Sequence, residues 1–332
     1  MEELPREQQR EPIHREKGDI AYFSKMSFIC EDIRVSCQVR LKHLKKLGKE
    51  SPDTEHLLAL AWPLEQFADG RLAEMVLNHP VWPWAKRVKG IGQENLPKVL
   101  GLIEGFGHHY PTGDQSIPPH CLYRPIEPYM ELDKTTGQPV EKEGIWVEGI
   151  ERLTLPSKLW KYSGMAVKDG VAVKREAGTK LEYNSQLRMA FFRLATSLMR
   201  AQGIWYTGGE PTLGFSRGYE GHREVLTARK NQQGYRIIPT PKKRICPKHG
   251  PVEKKAAKYC PICGTKLSLK AEGPGVIYQG HLHLMALRLM LKDFQLCLWR
   301  VWREALGLPT PDSYGEARLQ EPRIDPWKMV DR

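Results

Sequence analysis

The sequence predicts a mainly α fold with small β elements, arranged as a helical arm, a core that contains a helix-hairpin-helix, and an inserted zinc ribbon. Three observations predict this class. Apolar residues recur at helical spacing in several long stretches. A Gly-Ile-Gly triplet stands between two of these stretches. Cys and His residues form two closely spaced pairs inside a short basic segment, which is typical of a zinc site.

The composition excludes several classes of protein. The chain has 332 residues, of which 40% are hydrophobic, so a packed core is expected and global disorder is excluded. No uninterrupted apolar run of about 18 residues is present, which excludes a membrane-spanning helix. The first residues lack the apolar region of a signal peptide. Seven cysteines, three of them clustered, favour a metal site in a reducing, cytoplasmic compartment over a disulfide scaffold.

The charge balance points to a polyanionic partner. Lys and Arg total 51 against 39 Asp and Glu, which gives a formal net charge of +12. Such an excess is typical of proteins that neutralise phosphates. Composition does not distinguish DNA from structured RNA, so either is a predicted partner.

The N-terminal part predicts a tail and then a helical arm. Residues 1–22 are polar and without period, which predicts a flexible tail. An apolar stripe then recurs every three or four positions: Ile29, Ile33, Cys37, Leu41 and Leu44. Gly48 ends this helix, and a second helical stretch over 55–78 is interrupted by Pro63 and Gly70. We therefore predict a helical arm or coiled coil over 23–78, through which the chain would form a homo-oligomer.

A Gly-Ile-Gly triplet predicts a helix-hairpin-helix. Its two glycines are Gly90 and Gly92, and three cations precede them: Lys86, Arg87 and Lys89. Two glycines permit a tight turn, and N–H groups at the start of the next helix then face a phosphate. We predict that these five residues contact nucleic acid; an ordinary turn between helices is the alternative.

The other stretches predict a core that the ribbon interrupts. Residues 79–240 form its first part, with loops and short strands over 107–156, a helix over 184–200 and loops over 203–240. The core is completed within 273–307 by a helix whose apolar positions alternate by three and four: Leu284, Leu287, Leu291, Phe294, Leu298, Val301 and Ala305. Residues 308–332 are predicted to form a tail.

Two Cys and His pairs predict a structural zinc site in a ribbon over 241–272. Cys246 and His249 form the first pair and Cys260 and Cys263 the second, each with a glycine after its second member. Four such ligands close a tetrahedron around Zn²⁺ and leave no open position, so the ion is predicted to be structural. A redox pair of cysteines is the weaker alternative.

The charge around these pairs is lopsided. Between 242 and 270 the chain has nine Lys and Arg residues and one acid. This surface favours phosphate contact, with a solvated surface as the alternative. The predicted contacts in the ribbon are Lys242, Lys243, Arg244, Lys254 and Lys255.

Short islands of sequence occur in the order found in one known family: His79-Pro80, Gly90-Ile91-Gly92, Ser157 to Gly164, Asn184 with Leu187-Arg188, and Ala286 with Arg288. Over roughly residues 25 to 305 the chain resembles the C-terminal transposase domain of the insertion-sequence-110 group. These are RNA-bridged recombinases that also contain a RuvC-like domain and a coiled-coil arm. The resemblance implies a transposase-like core with the ribbon as an insertion, and we expect Arg188 to contact nucleic acid.

The resemblance also implies catalytic groups that this sequence does not provide. In the family, an acidic tetrad lies in the RuvC-like domain, and a serine nucleophile follows shortly after the glycine that Gly164 matches. Here the chain starts after the point where the tetrad's domain would end, and the window 166–175 contains no serine. Ser163 and Ser185 lie outside that window. We assign no catalytic residue and expect binding without strand cleavage.

Together these patterns predict a nucleic-acid-binding, transposase-like protein of a mobile genetic element, with DNA favoured. Its role in DNA transposition or recombination would be accessory, or would depend on a RuvC-like partner protein that supplies the acidic residues. The alternative is a zinc-ribbon protein that binds structured RNA without a recombination role, although neither an RRM strand motif nor a KH clamp is evident. We expect a cytoplasmic protein that does not enter a membrane.

Overall fold

The structure is a computed structural model that describes residues 19–132, 137–168, 171–173, 178–179, 181–201, 215–241, 244–252, 259–267 and 272–331. It is mainly helical with small sheets, as the sequence predicts. The helices are α1 (Asp19–Lys46), α2 (Pro52–Leu77), α3 (Trp82–Ala85), α4 (Leu96–Glu104), α5 (Gly149–Arg152), α6 (Pro156–Tyr162), α7 (Ser185–Arg200), α8 (Phe215–Gln232), α9 (Gln279–Ala305) and α10 (Tyr314–Leu319). The strands are β1 (His108–Pro111), β2 (Glu127–Leu132), β3 (Pro139–Val147), β4 (Val167–Lys168), β5 (Val171–Ala172), β6 (Arg236–Ile238), β7 (Arg244–Cys246), β8 (Gly250–Val252) and β9 (Val276–Tyr278).

Helices α1 and α2 pack along each other as the helical arm. Gly48 follows α1 with a φ of 65°, a left-handed conformation that glycine adopts without strain. Helix α1 begins at Asp19, so the arm starts before the predicted boundary at 23, and the predicted tail up to position 18 lies outside the described residues. Helix α2 continues through Pro63 and Gly70, contrary to both predicted interruptions. Pro63 faces solvent, and packing along α1 outweighs the lost hydrogen bond.

The face of α1 that meets α2 differs from the predicted apolar stripe. Ile29 and Ile33 are 40% and 38% exposed, whereas Ser27 and Cys37 are buried. The Ser27 hydroxyl donates a hydrogen bond to Asp69 of α2. Small and polar residues therefore occupy part of the helix contact, and part of the apolar stripe faces outward.

Helix α9 lies at the centre of the core, as its apolar seam predicts. Phe294, Leu298 and Trp299 are fully buried. The first and last seam positions, Leu284 and Ala305, are exposed, because they lie near the ends of the helix. Helix α7 packs against α9 and α4 through the predicted apolar face, whose residues are all buried: Leu187, Phe191, Leu194 and Leu198.

The strands form small sheets beside the helices. An antiparallel sheet in the order β1-β3-β2 lies within the region predicted to contain loops and short strands. Strands β6 and β9 pair in parallel, with Ile237 opposite Ile277. Because β6 ends at Ile238 and β9 begins at Val276, the segment with the Cys and His pairs connects two adjacent strands.

Two segments differ from the predicted loops and tail. Residues 215–232 form α8, which packs against α9. Among the residues of α8 whose burial is described, only Tyr219 and Leu226 are buried. Two buried positions are too few to show a helical period. The predicted tail over 308–332 packs on the core instead. The buried Arg300 donates to the Ile324 carbonyl oxygen at 2.7 Å and forms an ion pair with Glu316.

Candidate metal centre and candidate nucleic-acid interface

The four side chains predicted to bind metal lie together, with one ligand atom from each within 4.8 Å of the others. The Sγ atom of Cys246 is 3.6 Å from Sγ of Cys263 and 3.7 Å from Nδ1 of His249. That nitrogen is 3.6 Å from Sγ of Cys260. We call this set the four-ligand cluster. Thiolates and imidazole at these distances can hold a metal ion.

Two tight turns position the four ligands. The first pair lies at the turn between β7 and β8, where Cys246 is opposite Gly250. The second pair lies between Tyr259 and Lys266, which form an isolated bridge. Gly250 and Gly264 have φ values of 76° and 67°. Each pair is thus followed by a left-handed glycine, as its sequence indicates.

The four-ligand cluster has a very small apolar core. Among the described residues, its buried members are Cys246, Cys260 and Leu267, with Val252 packed against them. Hydrogen bonds from the side chain and backbone of Thr265 lower the pKa of Cys263 to about 6. A lowered pKa favours the thiolate, which is the form that binds metal.

The structure describes few of the basic residues that are predicted to contact phosphate in the ribbon. Four of them lie outside the described residues: Lys242, Lys243, Lys254 and Lys255. Only the backbone of Arg244 is described, as the first residue of β7. Lys248 and Lys266 belong to the same segment and are exposed.

The Gly-Ile-Gly turn between α3 and α4 is packed on two sides. Gly90 has a φ of 85°, and a Cβ atom there would lie 2.8 Å from the Ser197 carbonyl oxygen of α7. The Ser197 hydroxyl donates to the Gly90 carbonyl oxygen at 2.7 Å. On the other side, the backbone N–H of Lys89 donates to the carboxylate of Asp331 at 2.8 Å. The packing therefore requires Gly90 but not Gly92, where a Cβ atom would meet open space.

The cations beside this turn lie at the surface. Lys86 and Arg87 are exposed, and the Arg87 guanidinium lies 5.9 Å from the ring centre of Trp327. Helix α3 has four residues, fewer than the first helix that the motif predicts. The C-terminal segment thus lies next to the predicted nucleic-acid contact.

Three of the sequence islands meet in space. The side chain of Asn184 donates to the Tyr162 hydroxyl at 3.0 Å, and the Asn184 N–H donates to the Tyr162 carbonyl oxygen at 2.8 Å. A Cβ atom at Gly164 would lie 3.1 Å from Cδ of Arg188. Arg288 donates to the carbonyl oxygens of residues 165 and 166 at 3.0 and 2.8 Å. Residues far apart in sequence therefore surround the loop that follows Gly164.

Arg188, Arg288 and Lys292 form what we call the cationic cluster. Burial lowers the pKa values of Arg288 and Lys292, and a neighbouring cation lowers each further: Arg188 acts on Arg288, and Arg288 acts on Lys292. Asp293 raises the pKa of Lys292 but also lies 2.6 Å from a ring nitrogen of His222. Half-buried like charges repel one another, so an anion bound beside them would be favoured.

Arg188 is one of the nucleic-acid contacts predicted from the sequence, whereas Lys292 is not. A signal was present, because Arg288 and Lys292 are four residues apart and therefore lie on one side of α9. The Lys292 ammonium lies 5.0 Å from the ring centre of Trp160. Lys292 and Trp160 line a cavity of about 350 Å³, together with His222 and Asp293.

A second group of metal-type ligands lies beside the antiparallel sheet, and we call it the Glu151 cluster: His120, Cys121 and Glu151, with ligand atoms within 4.8 Å of one another. Glu151 is 2% exposed and forms an ion pair with Arg124, one contact of which is 2.8 Å. Glu151 also accepts a hydrogen bond from the Glu148 N–H at 2.9 Å. Burial raises the pKa of Cys121 to about 11 and lowers that of His120.

The serines closest in sequence to the family's nucleophile have other surroundings. Ser163 is fully buried, and its hydroxyl donates to Gln295 at 3.2 Å, so no substrate reaches it. Ser185 is exposed at the first position of α7. Residues 169–170 and 174–177 lie outside the described residues.

Comparisons of this chain with protein-family models, curated proteins and solved structures find no match. Within the described part of the chain, no helix has the length and apolar character that crossing a membrane requires.

Proposed function

We propose that the chain binds nucleic acid, with DNA favoured, as a transposase-like protein of a mobile genetic element. The observation that carries this proposal is the meeting of Gly164, Asn184 and Arg288 around one loop, with the cationic cluster beside it. In the family that the sequence resembles, this loop carries the nucleophile. Cations beside it would hold the phosphates of a bound strand.

The surroundings of the serines support an accessory or partner-dependent role. Ser163 is enclosed by the core, and its hydroxyl donates a hydrogen bond to Gln295 at 3.2 Å. Cleavage of a phosphodiester needs a nucleophile and stabilisation of developing charge. A RuvC-like partner protein would supply the acidic residues, and the isolated chain would bind without cleaving.

We propose that the four-ligand cluster holds one structural Zn²⁺. Zinc bonds of about 2.3 Å to sulfur and about 2.0 Å to nitrogen, at tetrahedral angles, give ligand-to-ligand distances of about 3.5–3.8 Å. Three of the distances between these ligand atoms are 3.6, 3.6 and 3.7 Å, which fit that geometry. Four protein ligands leave no open position, so the ion would stabilise the ribbon and take no part in chemistry.

The Gly-Ile-Gly turn would provide a further contact, although an internal group already occupies part of it. The Lys89 N–H is bound by the Asp331 carboxylate at 2.8 Å. A backbone N–H of this kind also binds phosphate oxygens. We therefore propose that nucleic acid reaches this turn in competition with Asp331, with Lys86 and Arg87 at its edge.

Fluorescence anisotropy with the full chain tests the proposal. It would measure the Kd for duplex, branched and single-stranded DNA and for structured RNA at salt concentrations from about 50 to 200 mM. We expect tightest binding to duplex or branched DNA and a steep loss of affinity with salt. Lys292→Gln should weaken DNA binding several-fold and reduce the salt slope by about one.

Lys142→Gln is the matched control, since it also removes one ammonium but lies on β3, where Lys142 is ion-paired with Glu131 at 2.8 Å. It should leave the affinity unchanged. Equal effects of the two variants, or no binding by the unmodified chain at low salt, would contradict the proposal. Tighter binding of structured RNA than of every DNA probe would favour the RNA alternative.

A further inference from the structure

The cavity of about 350 Å³ beside Lys292 is formed by α6, α8, α9 and the C-terminal segment, and we call it the α9 cavity. Its apolar walls include Trp160 of α6, Leu226 of α8, Leu296 of α9 and Ile324 of the C-terminal segment. Small-molecule sites in proteins have volumes of about 300–1,000 Å³ and mostly apolar walls with a few polar groups. The α9 cavity can therefore enclose a small molecule or one unit of a polymer.

The acidic groups that line the α9 cavity are mostly bound within the chain. The Asp293 carboxylate lies 2.6 Å from a ring nitrogen of His222, and the Glu316 carboxylate forms an ion pair with Arg300. Among the described residues, only Glu321 lines the cavity as a carboxylate without such a partner, and it is exposed. These acids therefore leave the cations on the same walls unneutralised.

Two cations line the α9 cavity, and neither forms an ion pair with a carboxylate in the described part of the chain. Arg229 is exposed and Lys292 is half-buried. Burial and the neighbouring Arg288 lower the pKa of Lys292, which Asp293 raises in part. A half-buried ammonium is stabilised by an anion beside it, and phosphate is a strong partner for both Lys and Arg. The favoured ligand therefore contains a phosphate.

An aromatic wall and an available hydrogen-bond acceptor suit a nucleobase. The Trp160 ring is partly buried, and its N–H donates to the Lys292 carbonyl oxygen at 3.4 Å, which orients the ring along α9. Bases stack on aromatic side chains of this kind. His222 contacts only one carboxylate oxygen of Asp293, and among the described residues Oδ1 has no donor. Such an oxygen accepts a hydrogen bond from the exocyclic amino group of cytosine.

We infer that the α9 cavity binds one nucleotide unit, with its base against Trp160 and its phosphate beside Lys292. The inference rests on the proposed nucleic-acid binding where this unit belongs to a strand, and a free nucleotide has the same chemistry. A base inside a duplex is stacked and paired, so only an unpaired nucleotide can enter. The cavity would thus favour DNA with an unpaired nucleotide over continuous duplex.

Fluorescence anisotropy of the full chain with two bulged duplexes tests this inference. One duplex has a single unpaired cytosine nucleotide, and the other has an abasic unit at that position, so the two differ only in the base. The unmodified chain should bind the cytosine probe about tenfold more tightly. Trp160→Leu should reduce this ratio to less than about twofold and leave the Kd for the abasic probe unchanged. The matched control Trp62→Leu, at a 45% exposed indole on α2, should keep the tenfold ratio.

Circular dichroism shows whether Trp160→Leu keeps its helices. If it does not, Val225→Trp tests the same point, because Val225 lines the cavity and is 57% exposed, so a larger side chain can fill part of the cavity without disturbing the core. This variant should also reduce the ratio. A tenfold ratio that persists in the folded Trp160 variant, or in the folded Val225 variant if the first unfolds, would overturn the inference.

Isothermal titration with cytidine monophosphate identifies the source of the nucleotide. A tenfold ratio between the duplexes assigns it to a strand. If the duplexes bind equally or not at all, binding of the free nucleotide that Trp160→Leu abolishes assigns the cavity to a free nucleotide. Equal binding of the duplexes with no binding of the free nucleotide would overturn the inference and leave the proposed function intact. Absence of binding by every probe at low salt would overturn both.

Discussion

The four-ligand cluster and the Glu151 cluster both contain side chains that metals prefer, yet their surroundings differ. The four-ligand cluster lies between short strands and has a core of three buried residues among those described. The Glu151 cluster is enclosed, with Cys121 fully buried and Glu151 2% exposed. The Glu151 carboxylate is already paired with the Arg124 guanidinium and with the Glu148 N–H.

This difference shows what each cluster needs in order to be stable. A buried carboxylate requires a positive partner, and Arg124 supplies it from within the chain. Cys246 and Cys263, whose sulfur atoms are 3.6 Å apart, also require a positive partner once both have lost their protons. We propose that a metal ion supplies it there. Residue types alone thus do not distinguish a metal site from an internal ion pair.

The largest expected effect is the loss of the metal. Cys260→Ser removes one of four ligands, so we expect zinc to fall from about one ion per chain to well below one, and the ribbon to lose its structure locally. Helical circular dichroism should remain, because the segment with the four-ligand cluster connects β6 to β9 and contains none of the core helices. Elemental analysis measures the zinc. Cys121→Ser is the matched control and should retain one ion.

The next largest effect concerns thiol reactivity in metal-stripped protein. Cys263, with a pKa of about 6, is a thiolate near neutral pH, whereas Cys121, with a pKa of about 11, is protonated and buried. The thiolate is the reactive form, but a thiolate of lower pKa is also a weaker nucleophile, so Cys263 should be alkylated about tenfold faster or more at about pH 7.5. Its rate should fall as the pH drops below its pKa.

Peptide mass spectrometry after timed alkylation measures both rates. Unfolding the protein in denaturant should remove the difference, because both pKa values then return toward their ordinary value. Equal rates in the folded protein would show that Cys121 is not enclosed as described.

A smaller effect is expected when the internal ion pair is broken. Glu151→Gln leaves Arg124 without its carboxylate and should lower the free energy of unfolding by about 3 kcal/mol. This is the lower end of the range for buried pairs, since the Arg124 side chain is 37% exposed. Denaturant titration measures the change. Zinc content should stay at one ion, which would confirm that the two clusters are independent.

The exposed pair of Lys142 and Glu131 provides the control for that measurement. Glu131→Gln should change the free energy of unfolding by less than about 0.5 kcal/mol. A Glu151→Gln variant as stable as the unmodified chain would mean that Arg124 is not the required countercharge.

The smallest effect tests whether Asp331 occupies a position that a phosphate would take. Asp331→Asn removes one negative charge beside the Lys89 N–H while keeping an oxygen that can accept its hydrogen bond. Nucleic-acid affinity should rise about two- to fivefold at low salt. Asp312→Asn, at an exposed ion pair with Arg323, removes the same charge elsewhere and should have less effect. Equal changes in both variants would indicate a nonspecific effect of net charge.

Local patterns in the sequence were sufficient for several elements. The apolar period of α7, the glycine after α1 and the two Cys and His pairs each depend on residues within a few positions of one another. Secondary structure and tight turns are governed by such short-range preferences. Helix α8 was not predicted: among its residues whose burial is described, Tyr219 and Leu226 are buried, and two such positions give no clear helical period.

Other features depend on contacts that are distant in sequence. The C-terminal segment reads as a tail, yet Arg300 and Trp84 hold it through the carbonyl oxygens of Ile324 and Pro326 at 2.7 and 2.8 Å. Backbone carbonyls have no sequence signature, so this packing could not be predicted. The continuation of α2 through Pro63 likewise depends on α1.

The sequence by itself determined the helical class, the identities of the four possible metal ligands and the excess of positive charge. Only the tertiary structure decided that Arg124 neutralises Glu151, that Arg188, Arg288 and Lys292 lie together, and which part of the apolar stripe on the arm faces outward. The reason is physical. Helical period and turn formation follow from neighbouring residues, whereas burial and charge pairing follow from which surfaces meet when the chain packs.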